Sequence, residues 1–160
     1  MIIIGKQRIY NSVYENKGIT NVIKWEVIPI APNEELRIRI LSTNSNNIQG
    51  LRIAAEKNYI LKLGTERKND YWIWENNVGS REIVFTTEKT TNVSIYNVCQ
   101  TPSSDFSPYG EVLSQMDYSG MIVEKKDENT CIYRCNDLRF SIEFCSLVFE
   151  LKVTKKICND

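Results

Sequence analysis

Hydrophobic residues recur at every second position, and that period constrains this chain more than any other feature. In "EELRIRIL", Leu36, Ile38 and Ile40 alternate with Arg37, Arg39 and Leu41. In "SLVFELKV", Leu147, Phe149, Leu151 and Val153 alternate with Val148, Glu150 and Lys152. A period of two puts one set of side chains on each face of an extended strand. "NYILKL", "REIVFTT", "TNVSIYNVC", "GMIVE" and "TCIYRC" add segments rich in β-branched and aromatic residues. The separators "APNEE", "STNSNNIQG", "ERKND", "ENNVGS" and "KKDENT" gather Asn, Asp, Gly, Pro and Ser, which is turn chemistry. Strands spaced roughly every 10 residues fit an antiparallel sandwich or barrel better than βαβ units. "GLRIAAEKNYILKL" has a helix-friendly centre but only a weak helical face, so it reads as strand, turn, strand. The expected fold is an all-β, single antiparallel β-sandwich of jelly-roll or C2-like type, one domain over residues 1–160. Its expected strands are 7–14, 20–30, 35–42, 48–55, 58–64, 70–75, 81–87, 91–99, 118–124, 130–135 and 142–154.

At 160 residues, 42% hydrophobic and 25% charged, the chain is globular in composition and can bury a core without staples. Lys plus Arg and Asp plus Glu are 20 each, so the formal net charge is zero. Such a surface has no general attraction for phosphate polymers, and no nucleic-acid partner is expected. The apolar start "MIIIG" is too short for a leader or a membrane span. The expectation is a chain with no membrane span, cytoplasmic or exported without a conventional signal peptide. Five cysteines, an odd number, favour reduced thiols. Cys131 and Cys135 share one side of a strand roughly 13 Å apart, too far to bond to each other. They read as small buried hydrophobes, with a bridge from either to Cys99 or Cys145 as the alternative.

The chain contains no histidine. This removes Ser–His and Cys–His activation, the usual general base near neutral pH, and the commonest zinc and copper ligand. Glu34–Glu35 and Asp127–Glu128 sit in expected turns, where solvated charge is the ordinary role. Neither GxGxxG nor GxxxxGK[ST] occurs, and no cofactor is expected. "NVS" at 92–94 matches a glycosylation sequon but falls inside an expected strand. A thiol mechanism through Cys99 or Cys145 would need a lowered pKa, and no cationic cluster nearby supplies one.

The aromatic residues are the better lead. "DYWIWENN" brings Tyr71, Trp72 and Trp74 together. In a strand, Trp72 and Trp74 point to one face, about 7 Å apart, and Tyr71 and Ile73 to the other. Two such indoles could stack sugar rings or bases; alternatively both faces are covered and the indole N–H groups reach polar partners at a core edge. The connection 100–120, with two prolines and several serines, adds Phe106 and Tyr109 and a candidate helical turn around Glu111 to Met116. The ligand-binding candidates are therefore Tyr71, Trp72, Trp74, Phe106 and Tyr109. The leading functional expectation is a non-enzymatic binding or protein-interaction module with an unknown protein or glycan partner, carbohydrate entering through surface aromatics. The alternative is a self-assembling structural protein (filament, capsid or crystal subunit) and hence a homo-oligomer, because neutral charge and long strand edges favour association. A thiol-dependent enzyme stands third.

"GMIVE", "YRCND" and "EFCSLVFEL" together resemble the closing part of a group of uncharacterised bacterial β-sandwich domains. In these, an acidic segment of the type Asp-x-Asp-Phe-Asn/Asp-Asp precedes a Leu-Val-Phe strand. Here Asp137, Glu143, Phe144 and the Leu147-Val148-Phe149 strand match in kind. Ser141, Ile142, Cys145 and Ser146 stand where acidic or amide residues occur in that group. The resemblance covers the last third of the chain. It implies a sandwich and, through Asp137 and Glu143, a degenerate calcium site, since calcium takes several oxygen ligands.

Overall fold

A computed structural model describes residues 4–114, 117–137 and 143–156. In chain order the elements are β1 (Ile9–Tyr10), α1 (Ser12–Glu15), β2 (Val22–Ile30), β3 (Glu34–Thr43), β4 (Ile48–Ala54), β5 (Leu61–Leu63), β6 (Glu66–Lys68), β7 (Asp70–Trp74), α2 (Glu75–Val78), β8 (Ile83–Thr87), β9 (Thr91–Gln100), β10 (Val112–Ser114), β11 (Gly120–Asp127), β12 (Thr130–Asn136) and β13 (Leu147–Lys155). The fold is all-β, and no described helix is long and apolar enough to cross a membrane.

The alternation read from sequence sets the core. In β3, Leu36, Ile38 and Ile40 are buried, Arg39 and Leu41 are exposed, and Arg37 is half-buried. In β13, Leu147, Phe149, Leu151 and Val153 are fully buried. The two strands pair antiparallel with Leu36 opposite Val153 and Ile38 opposite Leu151, so both inward rows enter the same interior. Each such side chain removed from water contributes roughly 1.5–3 kcal/mol.

The all-β antiparallel expectation holds; the strands form one continuous, nearly closed, barrel-like sheet rather than clearly the two layers of a jelly-roll or C2-like sandwich. Thirteen strands among the described residues form it, and its main path runs β6-β5-β8-β3-β13-β12-β11-β2-β9-β4-β7, with β1 on β2 and β10 on β9. The reason lies in β2, which serves both halves. Its Val22 and Ile23 pair with β11, while Glu26 to Ile30 pair with β9. Between these stretches the register slips: Ile9 faces Trp25, but Tyr10 faces Ile23, leaving Lys24 as an extra residue. Such a bulge bends a strand and lets a sheet turn a corner. The inward parity shifts there too, with Ile23 buried before it and Glu26, Ile28 and Ile30 after it. At the other end β6 and β7 are separated in the chain by Asn69 alone. Its side-chain amide holds the carbonyls of Glu56 (2.8 Å) and Tyr59 (3.0 Å). The Tyr71 hydroxyl donates to the Leu61 carbonyl at 3.0 Å, drawing the two ends of the path together.

Other local expectations are also corrected. In the expected strand 7–14 only Ile9–Tyr10 is extended, because the Asn11 side chain accepts from the Val13 N–H (3.0 Å) and caps α1. The expected helical turn at Glu111 to Met116 is instead strand β10 over its described part, with Val112 opposite Gln100. The 48–64 segment folds as strand, turn, strand, as read. Cys99, Cys131 and Cys135 are buried free thiols, and Cys145 is free and half-buried. Residues 1–3, Gln115, Met116, Ser141, Ile142 and Cys158 lie outside the described residues.

One polar cluster crosses the interior. Glu26, with no exposed surface, accepts from Arg8 Nη2 and from the Tyr133 hydroxyl, both at 2.7 Å. Burial, the Glu26 charge and this bond push the Tyr133 hydroxyl well above its usual pKa. Burial alone would lower the Arg8 value, but the bond and charge of Glu26 raise it.

Candidate aromatic and arginine face

The outward face of β7, β4 and β9 is a grid set by register. Trp72 stands opposite Arg52, and Arg52 opposite Tyr96, so one row across three strands reads Trp-Arg-Tyr. The row on one side reads Asp70, Ala54, Ser94; on the other it reads Trp74, Gly50, Val98. Gly50 is required where it stands. A Cβ there would lie 2.6 Å from both the Ile73 carbonyl oxygen and Trp74 Cε3, so only glycine lets the Trp74 ring lie against β4. The two indoles run nearly parallel, 18° apart with centroids at 6.3 Å.

Arg52 is fixed from both sides. Its Nη1 donates to the Tyr96 hydroxyl at 2.9 Å, and its Nε and Nη2 reach Asp70 Oδ2 at 3.2 Å. The guanidinium carbon lies 5.7 Å from the ring centres of both Trp72 and Tyr96, within cation–π range. Burial would lower its pKa; the Tyr96 hydrogen bond and the Asp70 charge outweigh that and raise it. A side chain held this way spends little further entropy when a ligand meets it. Beside it lies an open depression of about 430 Å³, lined by Trp25, Arg52, Ala54, Lys57, Asn69 and Tyr96, among others.

The sequence candidates separate in the structure. Trp72 is 43% exposed and Trp74 half-buried, on the outward face as their parity implied. Tyr71 leaves the ligand set, because it faces the core at 4% exposure and packs its ring edgewise on Phe85 at 5.2 Å. Phe106 and Tyr109 are almost fully exposed, at 99% and 90%, on the loop between β9 and β10, and make no ring contact with the indole pair. Asp137 and Glu143 flank the segment 138–142, which lies outside the described residues. Asp137 is buried, and its Oδ2 accepts from Ser45 Oγ (2.6 Å), Gln49 Nε2 (3.2 Å) and Asn47 Nδ2 (3.3 Å). Glu143 is exposed, and among the described residues no cluster of three or more His, Cys, Asp or Glu could hold a metal.

Burial, and then the Asp137 charge, push the Cys99 thiol up to about 12, so it stays protonated at neutral pH. Burial raises Cys131 and Cys135 as well. Sequence reasoning missed Arg52, Tyr96, Trp25 and Asp70. The signal was parity: Arg52 has the outward phase in "GLRIA" and Tyr96 in "VSIYN", but only the strand register aligns them with Trp72. No family model, curated protein or solved structure matches the chain.

Proposed function

We propose that this protein is a non-enzymatic binding module whose Trp72, Trp74, Arg52 and Tyr96 face stacks the rings of a glycan. The observation that carries the reading is the preorganised Trp-Arg-Tyr row, extended by the second indole and open to solvent. Indole faces offer CH-rich sugar faces broad apolar contact, and Arg52, Asp70, Asn69 and Ser94 offer the few directed polar groups that orient a ring. The lack of histidine and the protonated state of Cys99 support a binding role over a catalytic one.

The test is a glycan array probed with wild type and with Trp72→Ala/Trp74→Ala. Loss of one stacking ring is expected to weaken binding about tenfold. The reading requires a glycan class that binds wild type and is lost from the double variant while its circular dichroism is unchanged. Binding that survives both substitutions would end it.

A further inference from the structure

A cavity of about 670 Å³ shares no lining residue with the aromatic face. It opens where the sheet splits. β11 pairs with β2 only at Met121 and Ile122. From Val123 to Asp127 that edge of β11 has no strand partner among the described residues, and Lys125 on this stretch lines the cavity. β2, having left β11 for β9, contributes Pro29. Val153, with no exposed surface, and Cys131, at 3%, complete an apolar wall with Pro29 and Ile4.

Strand phase brings both signs of charge to this wall. Glu34 continues the inward row of Leu36 and Ile38 and is only 8% exposed. Lys125 continues the row of Met121 and Val123, and Lys155 that of Leu151 and Val153. Glu128 joins them from the turn between β11 and β12. Glu34 and Lys155 are register partners, yet none of the four has an ion pair among the described residues. Glu34 Oε1 accepts from the Ala31 N–H at 2.8 Å, a hydrogen bond without a counter-charge. A buried carboxylate that lacks a cation is costly, and an incoming ammonium offsets that cost.

These groups select among ligands. A fatty acid would leave Glu34 without its cation. An alkylamine would meet Lys125 and Lys155. A phosphate or sulfated sugar would set its anion beside Glu34 and Glu128 and leave the apolar wall uncovered. A zwitterion with an apolar body answers both signs and the wall together. The volume is that of a ligand larger than one amino acid. β3 and β11, which carry Glu34 and Lys125, lie three strand spacings apart in the sheet, roughly 14 Å. Three or four extended residues span about 10–14 Å. Peptide amides also match the unpaired edge of β11.

We propose that this cavity binds a short apolar peptide with free termini, its ammonium on Glu34 and its carboxylate on Lys125. This goes beyond the glycan reading and does not rest on it.

Isothermal titration with trivaline tests it. Trivaline should bind, and its N-acetyl and C-amide forms should each bind about tenfold more weakly. Octanoate and octylamine lack one charge and free valine lacks the length, so none should bind more tightly than the capped forms. Glu34→Gln should weaken trivaline about tenfold yet leave the N-acetyl form unchanged, because the ammonium it would meet is already gone. Lys125→Gln should behave in the same way toward the C-amide form. A structural role for either residue would weaken free and capped peptides alike. Lys125 is exposed, so its variant decides the matter if Glu34→Gln fails to fold. Trp72→Ala/Trp74→Ala should bind trivaline as wild type does, so failure of the glycan reading and failure of this one are read separately. No binding of trivaline at millimolar concentration would overturn the proposal. So would capped peptides, octanoate or octylamine that bind as tightly as trivaline, or variants that do not distinguish free from capped termini.

Discussion

Replacing Glu26 with alanine removes the acceptor at the centre of the buried cluster. The carboxylate takes four donors: Arg8 Nη2 at 2.7 Å, Arg8 Nε at 3.3 Å, the Tyr133 hydroxyl at 2.7 Å and the Val27 N–H at 3.2 Å. Tyr133 has no exposed surface, so its hydroxyl cannot turn to water. A buried hydroxyl left unpaired costs about 1–3 kcal/mol. Breaking a buried ion pair from one side costs about 3–5 kcal/mol. The Arg8 side chain keeps 18% of its surface exposed, so the lower end of that range applies to it. Together these give a loss of about 4 kcal/mol, a large part of the roughly 5–15 kcal/mol that holds a typical domain folded. The cycle with Tyr133→Phe sharpens the point. Alone, that change removes a made hydrogen bond to a charged carboxylate and costs about 1.5–3 kcal/mol. In the Glu26→Ala background it removes an orphaned hydroxyl and should be neutral or stabilising. Urea unfolding at constant m-value measures all four proteins. A Glu26→Ala loss below about 1 kcal/mol, or an equal Tyr133→Phe cost in both backgrounds, would refute the reasoning.

Two further perturbations follow from the geometry. Gly50→Ala should cost about 1–3 kcal/mol, because its Cβ meets the Ile73 carbonyl and the Trp74 ring at 2.6 Å. It should also change the exciton signal of the paired indoles in circular dichroism, and an unaltered spectrum with an unaltered midpoint would contradict the packing. Cys99 sets an alkaline limit. Its folded value, about 12, lies above the ordinary 9.0, so its contribution is complete below pH 9 and is lost as pH rises toward 12. The loss is about 4 kcal/mol over that window. Urea midpoints measured at stepped pH should fall less steeply for Cys99→Ala than for wild type, and identical slopes would show that this thiol is not responsible.

Most of the strand pattern was legible because it is local. Parity alone placed Leu36, Ile38 and Ile40 inside, and Trp72 and Trp74 opposite Tyr71. The continuous sheet was not legible, because pairing order joins strands far apart in sequence and the bulge at Lys24 has no residue signature of its own. β6 and β10, three residues each, are too short for a period to show. Glu26 shares its phase with Ile28 and Ile30 in "WEVIPI", a parity that marks it as inward, but its partners Arg8 and Tyr133 come from distant strands. The functional face had the same difficulty. Its two tryptophans stood out in one short stretch, while the arginine and tyrosine between which it is built come from β4 and β9.

Acrylamide quenching of a Trp25→Phe variant tests the central claim most directly, since only Trp72 and Trp74 then report. An outward, ring-binding pair predicts red-shifted emission and strong quenching, with protection when a glycan identified on the array is added. Blue emission that resists quenching, or quenching that no array glycan alters, would contradict it.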